Sequence, residues 1–454
     1  MTQPHEMTAS QAASEIVRGA LSPLELMESL LARCRSLEPS LRVWVTLDED
    51  AALDAAKGSQ DALARSGPVG PLHGVPVGVK DIFYTEGVRT TAGSLIYDDF
   101  VPAYDSTAVA GLKAAGAIMM GKTVTTEFAA YDPSPTLNPW NPAHTPGGSS
   151  SGSAVGLAAR MFPAALGSQT AGSVLRPASY NGVIGFKPTF GRVSRRGVFP
   201  VAASLDTVGF FARSVEDAAL LLTVLAGHDP NDPASSPMGR QDYRAGLSRA
   251  RSSPRIGLLR QFFDERSDAE VRENMRRTEQ SLAAAGAELV EITVPTDFDG
   301  LVHAHRVVMS VEMATVHEAD FASRRDDYSP KIRDGIAAGL LISGVSYVQG
   351  QEARRSFRAH LENAVLGFDA LLVPTASSAA PRDVTTTGDP SFQAPWTSCG
   401  FPSISLPSGL TKAGMPLGIQ LVAGPFEEEK LLAAAGWCEQ VLDVDLAPPD
   451  IIGG

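Results

Sequence analysis

The sequence has few of the features that mark a secreted, disulfide-rich or zinc-binding protein. It contains three cysteines in 454 residues, Cys34, Cys399 and Cys438. None of them belongs to a C-x-x-C pair or to a Cys/His pattern with zinc spacing. We therefore expect reduced, mostly buried thiols rather than a disulfide framework.

An excess of positive charge and long apolar runs are also missing. The formal net charge is -13 at pH 7, which disfavours binding to nucleic acid or anionic lipid, because both require clustered Lys and Arg. No window approaches the ~18 continuous apolar residues that span a bilayer, and the N-terminus lacks a basic segment followed by an apolar one. These absences predict a soluble, cytoplasmic protein with neither nucleic acid nor membrane as a partner.

The chain does contain ample material for a large core, with 44% hydrophobic and 20% charged residues. The segment Ser22 to Glu25 has the form of a capping box with proline at the first helical position, which predicts a helix start. We place this helix in an N-terminal helical region, residues 1–66. A Gly/Pro-rich segment, residues 67–78, follows it and opens the core, residues 67–454.

Within the core, short apolar runs alternate with helical patterns. VPVGVKD, the helix after Ser106 and AIMMGKT from Ala117 begin this series. Ser267 to Glu270 predicts a second capping box, at the start of a later helix. The alternation favours an α/β fold with helices on both faces of a sheet. The Pro/Thr/Ser-rich stretch 374–395 is long for a loop, which indicates a functional role.

Two Gly/Ser-rich segments and one lysine carry the candidate chemistry. PGGSSSGSA, residues 146–154, leads into a helix. Residues 170–173, Thr-Ala-Gly-Ser, can direct several backbone N–H groups to one point, as an oxyanion hole does. Lys80 ends the apolar run VPVGV, where burial favours the neutral, basic form of the amine. Taken singly, these features are typical of a helix N-cap and of a snorkelling surface lysine.

Together the three motifs resemble the amidase signature family, whose hallmark is a Ser–cis-Ser–Lys triad. The resemblance covers essentially the whole chain and implies a single large mixed β-sheet covered by helices on both faces. It assigns Ser173 as nucleophile, Ser149 as the bridging serine after a cis peptide bond, and Lys80 as the base. Gly147, Gly148 and Ser150 are then supporting residues.

The resemblance also implies how the reaction proceeds. Ser173 forms an acyl intermediate while the backbone N–H groups of Thr170, Ala171, Gly172 and Ser173 stabilise the oxyanion. No metal and no cofactor are required. We likewise predict no metal at His303, His305 and His317, which are loosely spaced and of which the first two align poorly on a helix. The implied partners are an amide-like small molecule and water, and a homodimer is left open.

Substrate preference is predicted from candidate pocket residues. Tyr131, Trp140, Trp396 and Phe401 are apolar-bodied, which favours small to medium, uncharged amides, with aryl amides, esters and carbamates as extensions. Arg176 is the counter-indication. An unpaired guanidinium there would select carboxylate-bearing acyl groups such as malonamate, whereas a structural salt bridge would leave the neutral preference intact.

Three other functions are considered. One is the A-type subunit of a tRNA-dependent amidotransferase, weakened by Gln169 at a position where many family members carry Asp. A second treats Gly148–Gly152 as the G-x-S-x-G elbow of an α/β-hydrolase, with Ser150 as nucleophile and a downstream histidine as base. The candidates for this histidine are His228, His303, His305, His317 and His360. The third is a non-catalytic binding protein of the same fold.

Overall fold

The computed structural model of the chain describes residues 3–249 and 253–449. Its β-strands are β1 (Trp44–Leu47), β2 (Pro76–Lys80), β3 (Ile118–Thr123), β4 (Ala164–Gln169), β5 (Ile184–Lys187), β6 (Thr207–Ala212), β7 (Arg255–Leu259), β8 (Glu288–Ile292), β9 (Ala370–Pro374), β10 (Ser403–Leu410) and β11 (Pro416–Val422). Its α-helices are α1 (Ala9–Val17), α2 (Pro23–Leu41), α3 (Glu49–Ser66), α4 (Thr107–Ala114), α5 (Ser151–Ala158), α6 (Leu175–Asn181), α7 (Val215–Leu225), α8 (Tyr243–Arg249), α9 (Phe263–Arg266), α10 (Ala269–Ala284), α11 (Phe298–Arg324), α12 (Pro330–Leu341), α13 (Gly344–Ala364), α14 (Ala394–Cys399) and α15 (Glu428–Leu442).

One 11-stranded sheet runs through the molecule in the order β1-β3-β2-β4-β6-β5-β10-β11-β9-β7-β8. The strands are parallel within the group β3-β2-β4 and within the group β9-β7-β8. The other neighbours are antiparallel. The sheet is therefore mixed, as the sequence resemblance implies.

Helices cover both faces of this sheet. In β4, Ala164 and Leu166 join a core that includes residues of α7 and α15, whereas Ala165 joins a second core that includes residues of α2 and α5. Successive side chains of a strand point to opposite faces, so the two cores lie on opposite sides of the sheet. The predicted α/β class is confirmed.

The two predicted capping boxes have different outcomes. At α2 the Ser22 hydroxyl accepts a hydrogen bond from Glu25 N at 3.1 Å, and the Glu25 carboxylate accepts one from Ser22 N at 2.8 Å. The second prediction is wrong by one residue, since Asp268 caps α10 through Val271 N at 2.8 Å. The Ser267 hydroxyl instead donates to the Phe263 carbonyl at 2.8 Å, at the C-terminal end of the short helix α9.

The N-terminal region adds one strand to the sheet. Helices α1 to α3 occupy most of the described part of residues 1–66, and β1 lies between α2 and α3. This strand pairs antiparallel with β3, with Trp44 opposite Thr123. Its sequence, Trp-Val-Thr-Leu, does not alternate strictly between apolar and polar residues and so lacks the usual strand periodicity.

The strand order brings the candidate site residues to one edge of the sheet. Strands β2 and β4 are parallel neighbours, with Val79 opposite Leu166. Their carboxyl ends therefore lie side by side, and ligand sites of such sheets form at this end. Lys80 is the last residue of β2, and the turn of residues 170–173 follows the end of β4.

Two further expectations concern chemistry away from the site. Cys34, Cys399 and Cys438 are buried and unpaired, as predicted. In the two described stretches, no helix combines the length and the apolar character that a membrane span requires.

Candidate active site

Lys80 lies in the interior with its side chain 0% exposed. Its Nζ donates to Ser149 Oγ at 2.7 Å and to Ser168 Oγ at 2.8 Å. Burial lowers its pKa well below the ordinary value of a lysine, and the charge of Asp206 opposes this shift only in part. The amine thus lies in surroundings that favour its neutral form, in contact with two hydroxyl groups.

Ser149 occupies a tight turn just before α5. The peptide bond between Gly148 and Ser149 is cis. Gly147 has a φ of +77°, a backbone conformation that residues other than glycine rarely adopt. A Cβ atom on Gly147 would also approach Pro177 Cα to 2.9 Å. Glycine at this position therefore allows the turn to pack against α6.

The hydroxyl of Ser150 connects the turn before α5 to Ser168 on β4. It donates to the Ser168 carbonyl and accepts from Ser168 N, each at 3.4 Å. Ser150 is fully buried. Ser150 is thereby linked to Lys80 through Ser168, which is itself a partner of the lysine.

Ser173 lies in the turn after β4 and lines a cavity. Its side chain makes no hydrogen bond within the described residues, to Ser149 or to any other group. The backbone N–H groups of residues 170–173 likewise have no acceptor in this part of the chain. The turn therefore combines a free hydroxyl with free backbone donors, which is what an oxyanion hole beside a nucleophile requires.

Two side chains fix the shape of this turn. Gln169 Oε1 accepts from Val174 N at 2.9 Å and from Leu175 N at 3.0 Å, and its Nε2 donates to Thr397 Oγ1 at 3.0 Å. The Thr397 hydroxyl lies 2.9 Å from the Ala171 carbonyl. A carboxylate could also accept the two backbone bonds, so Gln169 in place of Asp does not by itself argue against the amidotransferase function.

The cavity that Ser173 lines has a volume of about 430 Å³. Thr170, Ala171 and Tyr131 line it together with Ser173. Residues 386–390 of the long loop before α14 form another part of the wall. The predicted functional loop is thus placed at the site.

Three aromatic residues expected in the pocket lie elsewhere. Trp396 is 0% exposed, donates from Nε1 to the Phe392 carbonyl at 2.9 Å and stacks on Phe263. Phe401 belongs to the same apolar core. Trp140 donates to the Asn181 carbonyl at 2.9 Å, away from the cavity wall. The substrate-binding prediction is wrong for Trp396, because its ring is more favourably buried in the core.

Arg176 is buried and borders the cavity. Its Nη2 donates to the Gly148 carbonyl at 2.8 Å and to Thr387 Oγ1 at 3.1 Å, while its Nε has no hydrogen-bond partner. No carboxylate of the described residues forms an ion pair with it, so the expected structural salt bridge is absent there. Arg176 links the turn before Ser149 to the long loop.

The α/β-hydrolase interpretation requires a histidine next to Ser150. None of the five candidate histidines hydrogen-bonds Ser150 in the described structure. His305 Nδ1 contacts Ser398 Oγ at 2.7 Å, and His317 Nδ1 contacts the Tyr328 hydroxyl at 3.2 Å. Residues 3–249 and 253–449 also contain no group of three or more His, Cys, Asp or Glu side chains arranged to hold a metal ion.

Two residues of the site were missed by the sequence interpretation. Ser168 is the second hydroxyl partner of Lys80, and it lies in the same GSQTAGS segment as Ser173. Asp206 accepts a hydrogen bond from Thr170 Oγ1 at 2.6 Å and holds the end of the turn. The position of Ser168 in the motif was a usable signal, whereas Asp206 follows from no local pattern.

The chain is similar to known proteins along almost its whole length. The sequence model of a family described as Amidase matches residues 25–432. The A-type subunit of the glutamyl-tRNA(Gln) amidotransferase of Geobacter metallireducens is 36% identical over 96% of this chain and 97% of its own length. Its counterpart of the same name from Geobacter sp. strain M21 is 37% identical and covers 95% of each chain.

Solved structures give the same relationship. The native peptide amidase of Stenotrophomonas maltophilia has a TM-score of 0.86 and 29% identity, over 98% of both chains. A chain from a vestigial protein complex linked to the origins of an s-triazine catabolic enzyme has a TM-score of 0.90 and 31% identity. It covers 96% of this chain and 99% of its own length.

Proposed function

The chain belongs to the Amidase family, and on that premise we propose that it hydrolyses the C–N bond of a small to medium amide through an acyl intermediate on Ser173. One observation carries this proposal above the others. The Nζ of a fully buried lysine lies 2.7 Å from Ser149 Oγ, with no carboxylate in contact with it among the described residues. Such an amine has no evident structural role as a cation, and its lowered pKa suits it to accept a proton.

The proposed mechanism uses this contact in both directions. Ser173 Oγ attacks the acyl carbon as its proton passes to Ser149 and the proton of Ser149 passes to Lys80. The free N–H groups of the 170–173 turn stabilise the oxyanion. When the C–N bond breaks, the proton returns through Ser149 to the leaving amine, and water then attacks the acyl ester to give the carboxylate and free Ser173.

The second candidate is an amidotransferase subunit that acts with partner chains. The observation in its favour is the 36% identity to a glutamyl-tRNA(Gln) amidotransferase subunit over nearly the full length of both chains. The same triad would then release nitrogen from an amide for transfer rather than for hydrolysis alone. Turnover of a simple amide by the purified chain, without ATP or a partner, favours the hydrolase.

The test is turnover by the purified chain and by Ser173→Ala. A panel of aryl amides, aliphatic amides, esters and carbamates is assayed, and acyl adducts are sought by intact-protein mass spectrometry. We expect Ser173→Ala to abolish both turnover and the adduct, because Ser173 supplies the free hydroxyl beside the free backbone donors. Ser151→Ala is the matched control, since this serine follows Ser149 by two residues, at the start of α5, and its hydroxyl contacts Ser134 Oγ at 2.6 Å.

Two results would contradict the proposal. One is turnover by Ser173→Ala within about tenfold of the unmodified protein, a loss of only ~1.4 kcal/mol in transition-state stabilisation. The other is turnover that appears only when partner chains and ATP are supplied.

A further inference from the structure

One face of α11 forms a wall of the cavity that contains Ser173. The residues of α11 that line it are spaced three or four apart, which is the spacing of a single helix face. They are Val302, His305, Arg306, Met309, Ser310 and Met313. This wall is apolar at half of its positions, and its two nitrogen-bearing side chains are adjacent in sequence.

Arg306 differs from the other charged residues of the cavity. Lys331 Nζ donates to the Thr385 carbonyl, Asp389 accepts two hydrogen bonds from Ser391, and Arg176 is held as described above. Arg306 is exposed, and within the described residues its guanidinium has neither a hydrogen bond nor an ion pair. All five of its donors are thus free for a ligand.

The cavity is positive although the chain is acidic. Arg176, Arg306 and Lys331 line it against a single carboxylate, Asp389, whereas the whole chain has a formal net charge of -13. A cluster of cations in an acidic protein attracts anions to that place, whereas the negatively charged remainder of the surface repels them. The aromatic residues that favoured a neutral substrate are, apart from Tyr131, outside this cavity.

His305 offers a second group beside Arg306. Its ring is buried, Nδ1 contacts Ser398 Oγ at 2.7 Å, and Nε2 has no partner among the described residues. Burial lowers the pKa of His305 to about 3, so the ring is neutral at physiological pH. When the Ser398 hydroxyl donates to Nδ1, the ring carries its proton on Nε2 and retains one unused donor.

From this arrangement we infer that the substrate is an amide that carries a carboxylate, and that Arg306 binds this carboxylate with His305 as a second donor. The inference rests on the proposed amidase function and adds its substrate class. Planar guanidinium and carboxylate groups pair through two parallel hydrogen bonds, which makes arginine well suited to this recognition. Arg176 is less available, because Gly148 and Thr387 already occupy its Nη2.

The test measures binding rather than turnover. Calorimetry on Ser173→Ala compares monoanilides of malonic, succinic and glutaric acid with the neutral anilides of propanoic, butanoic and pentanoic acid, which match them in chain length. We expect at least one carboxylate-bearing anilide to bind about tenfold or more tightly than its neutral match, as a charge-assisted hydrogen-bonded pair does. Arg306→Gln in the same background should remove this difference.

Two further variants make the result specific. Arg306→Lys keeps the charge without the planar pair of donors and should retain only part of the preference. Arg355→Gln on α13 is the matched control, since Arg355 is exposed, pairs with Glu352 and does not line the cavity. It should leave the preference unchanged, and melting curves check that each variant is folded.

The inference is overturned if no anilide of the three lengths shows a preference for the carboxylate. It is also overturned if Arg306→Gln weakens the charged and neutral anilides equally. Failure of the proposed function would appear in a different measurement, the turnover assay, in which Ser173→Ala would still hydrolyse neutral amides.

Discussion

Lys80 and Lys122 are buried lysines on neighbouring parallel strands, and their surroundings differ. Lys80 contacts the hydroxyl groups of Ser149 and Ser168. Lys122 donates to the Phe83 carbonyl at 2.5 Å and to Thr90 Oγ1 at 2.6 Å, and its Nζ lies 3.4 Å from a carboxylate oxygen of Asp81. One amine therefore has an anionic partner, and the other has none in contact among the described residues.

The two environments have different effects on the pKa of a buried lysine. Burial lowers the pKa of both amines, but Asp81 raises that of Lys122 in part, leaving it at about 8. Lys80 keeps a pKa well below the ordinary value. Although Asp81 follows Lys80 directly in the chain, it contacts Lys122, so the pair Lys80-Asp81 is divided between the site and the core.

The largest expected effect that tests this comparison is on turnover. Lys80→Met keeps the length of the side chain and removes the base, so kcat/KM should fall by about a thousandfold or more, within the usual range for general base catalysis. The fold should persist, because an apolar group replaces a neutral amine. A variant that keeps kcat/KM within about tenfold of the parent chain would exclude Lys80 as the base.

Lys122→Met should instead lower stability and leave activity largely intact. It leaves the Asp81 carboxylate buried without its cation, which is expected to lower the free energy of unfolding by about 3–5 kcal/mol. Chemical denaturation measures this loss, and kcat/KM per folded molecule should change far less than in Lys80→Met. Equal losses of activity in the two variants would show that the comparison is mistaken.

The pH dependence of kcat/KM provides a further test. Burial lowers the pKa of Lys80 well below that of an ordinary lysine, so activity should reach its plateau at a lower pH than an ordinary lysine base allows and fall as the pH drops through the pKa of Lys80. Added chelator should have no effect. Activity that keeps rising up to about pH 10 would indicate a lysine with an ordinary pKa.

The smallest expected effect concerns the turn that carries Ser173. Thr397→Val removes the hydroxyl that contacts Gln169 and the Ala171 carbonyl but preserves side-chain shape. One such hydrogen bond contributes about 1 kcal/mol, so kcat/KM should fall by roughly fivefold. A loss as large as that of Lys80→Met would mean that Thr397 does more than position the turn.

The sequence predicts the parts of the fold that are marked locally. The apolar run ending in Lys80 is β2, and the run from Ala117 is β3 from Ile118. The Gly/Ser-rich turn leads into α5, as its composition indicates. These predictions succeed because buried strands and helix starts have short-range signals in apolar runs, glycines and capping residues.

Features set by tertiary packing were missed or misplaced. Trp396 follows Ala394 by two residues, but Ala394 lines the cavity and Trp396 packs against Phe263 in the core. Which side of α14 faces the cavity depends on neighbours distant in sequence. The same limitation applies to Arg306, because periodicity can identify a helix face but not what that face contacts.

The most direct test of the central claim is the protonation state of Lys80 itself. Protein labelled with ¹³C at lysine Cε is titrated by NMR, with the signals assigned from Lys80→Met and Lys122→Met. We predict that Lys80 loses its proton at a pH well below that of an ordinary lysine, because it is buried without a carboxylate of the described residues in contact, and that Lys122 titrates at about pH 8. A Lys80 signal that remains protonated up to about pH 10 would contradict it.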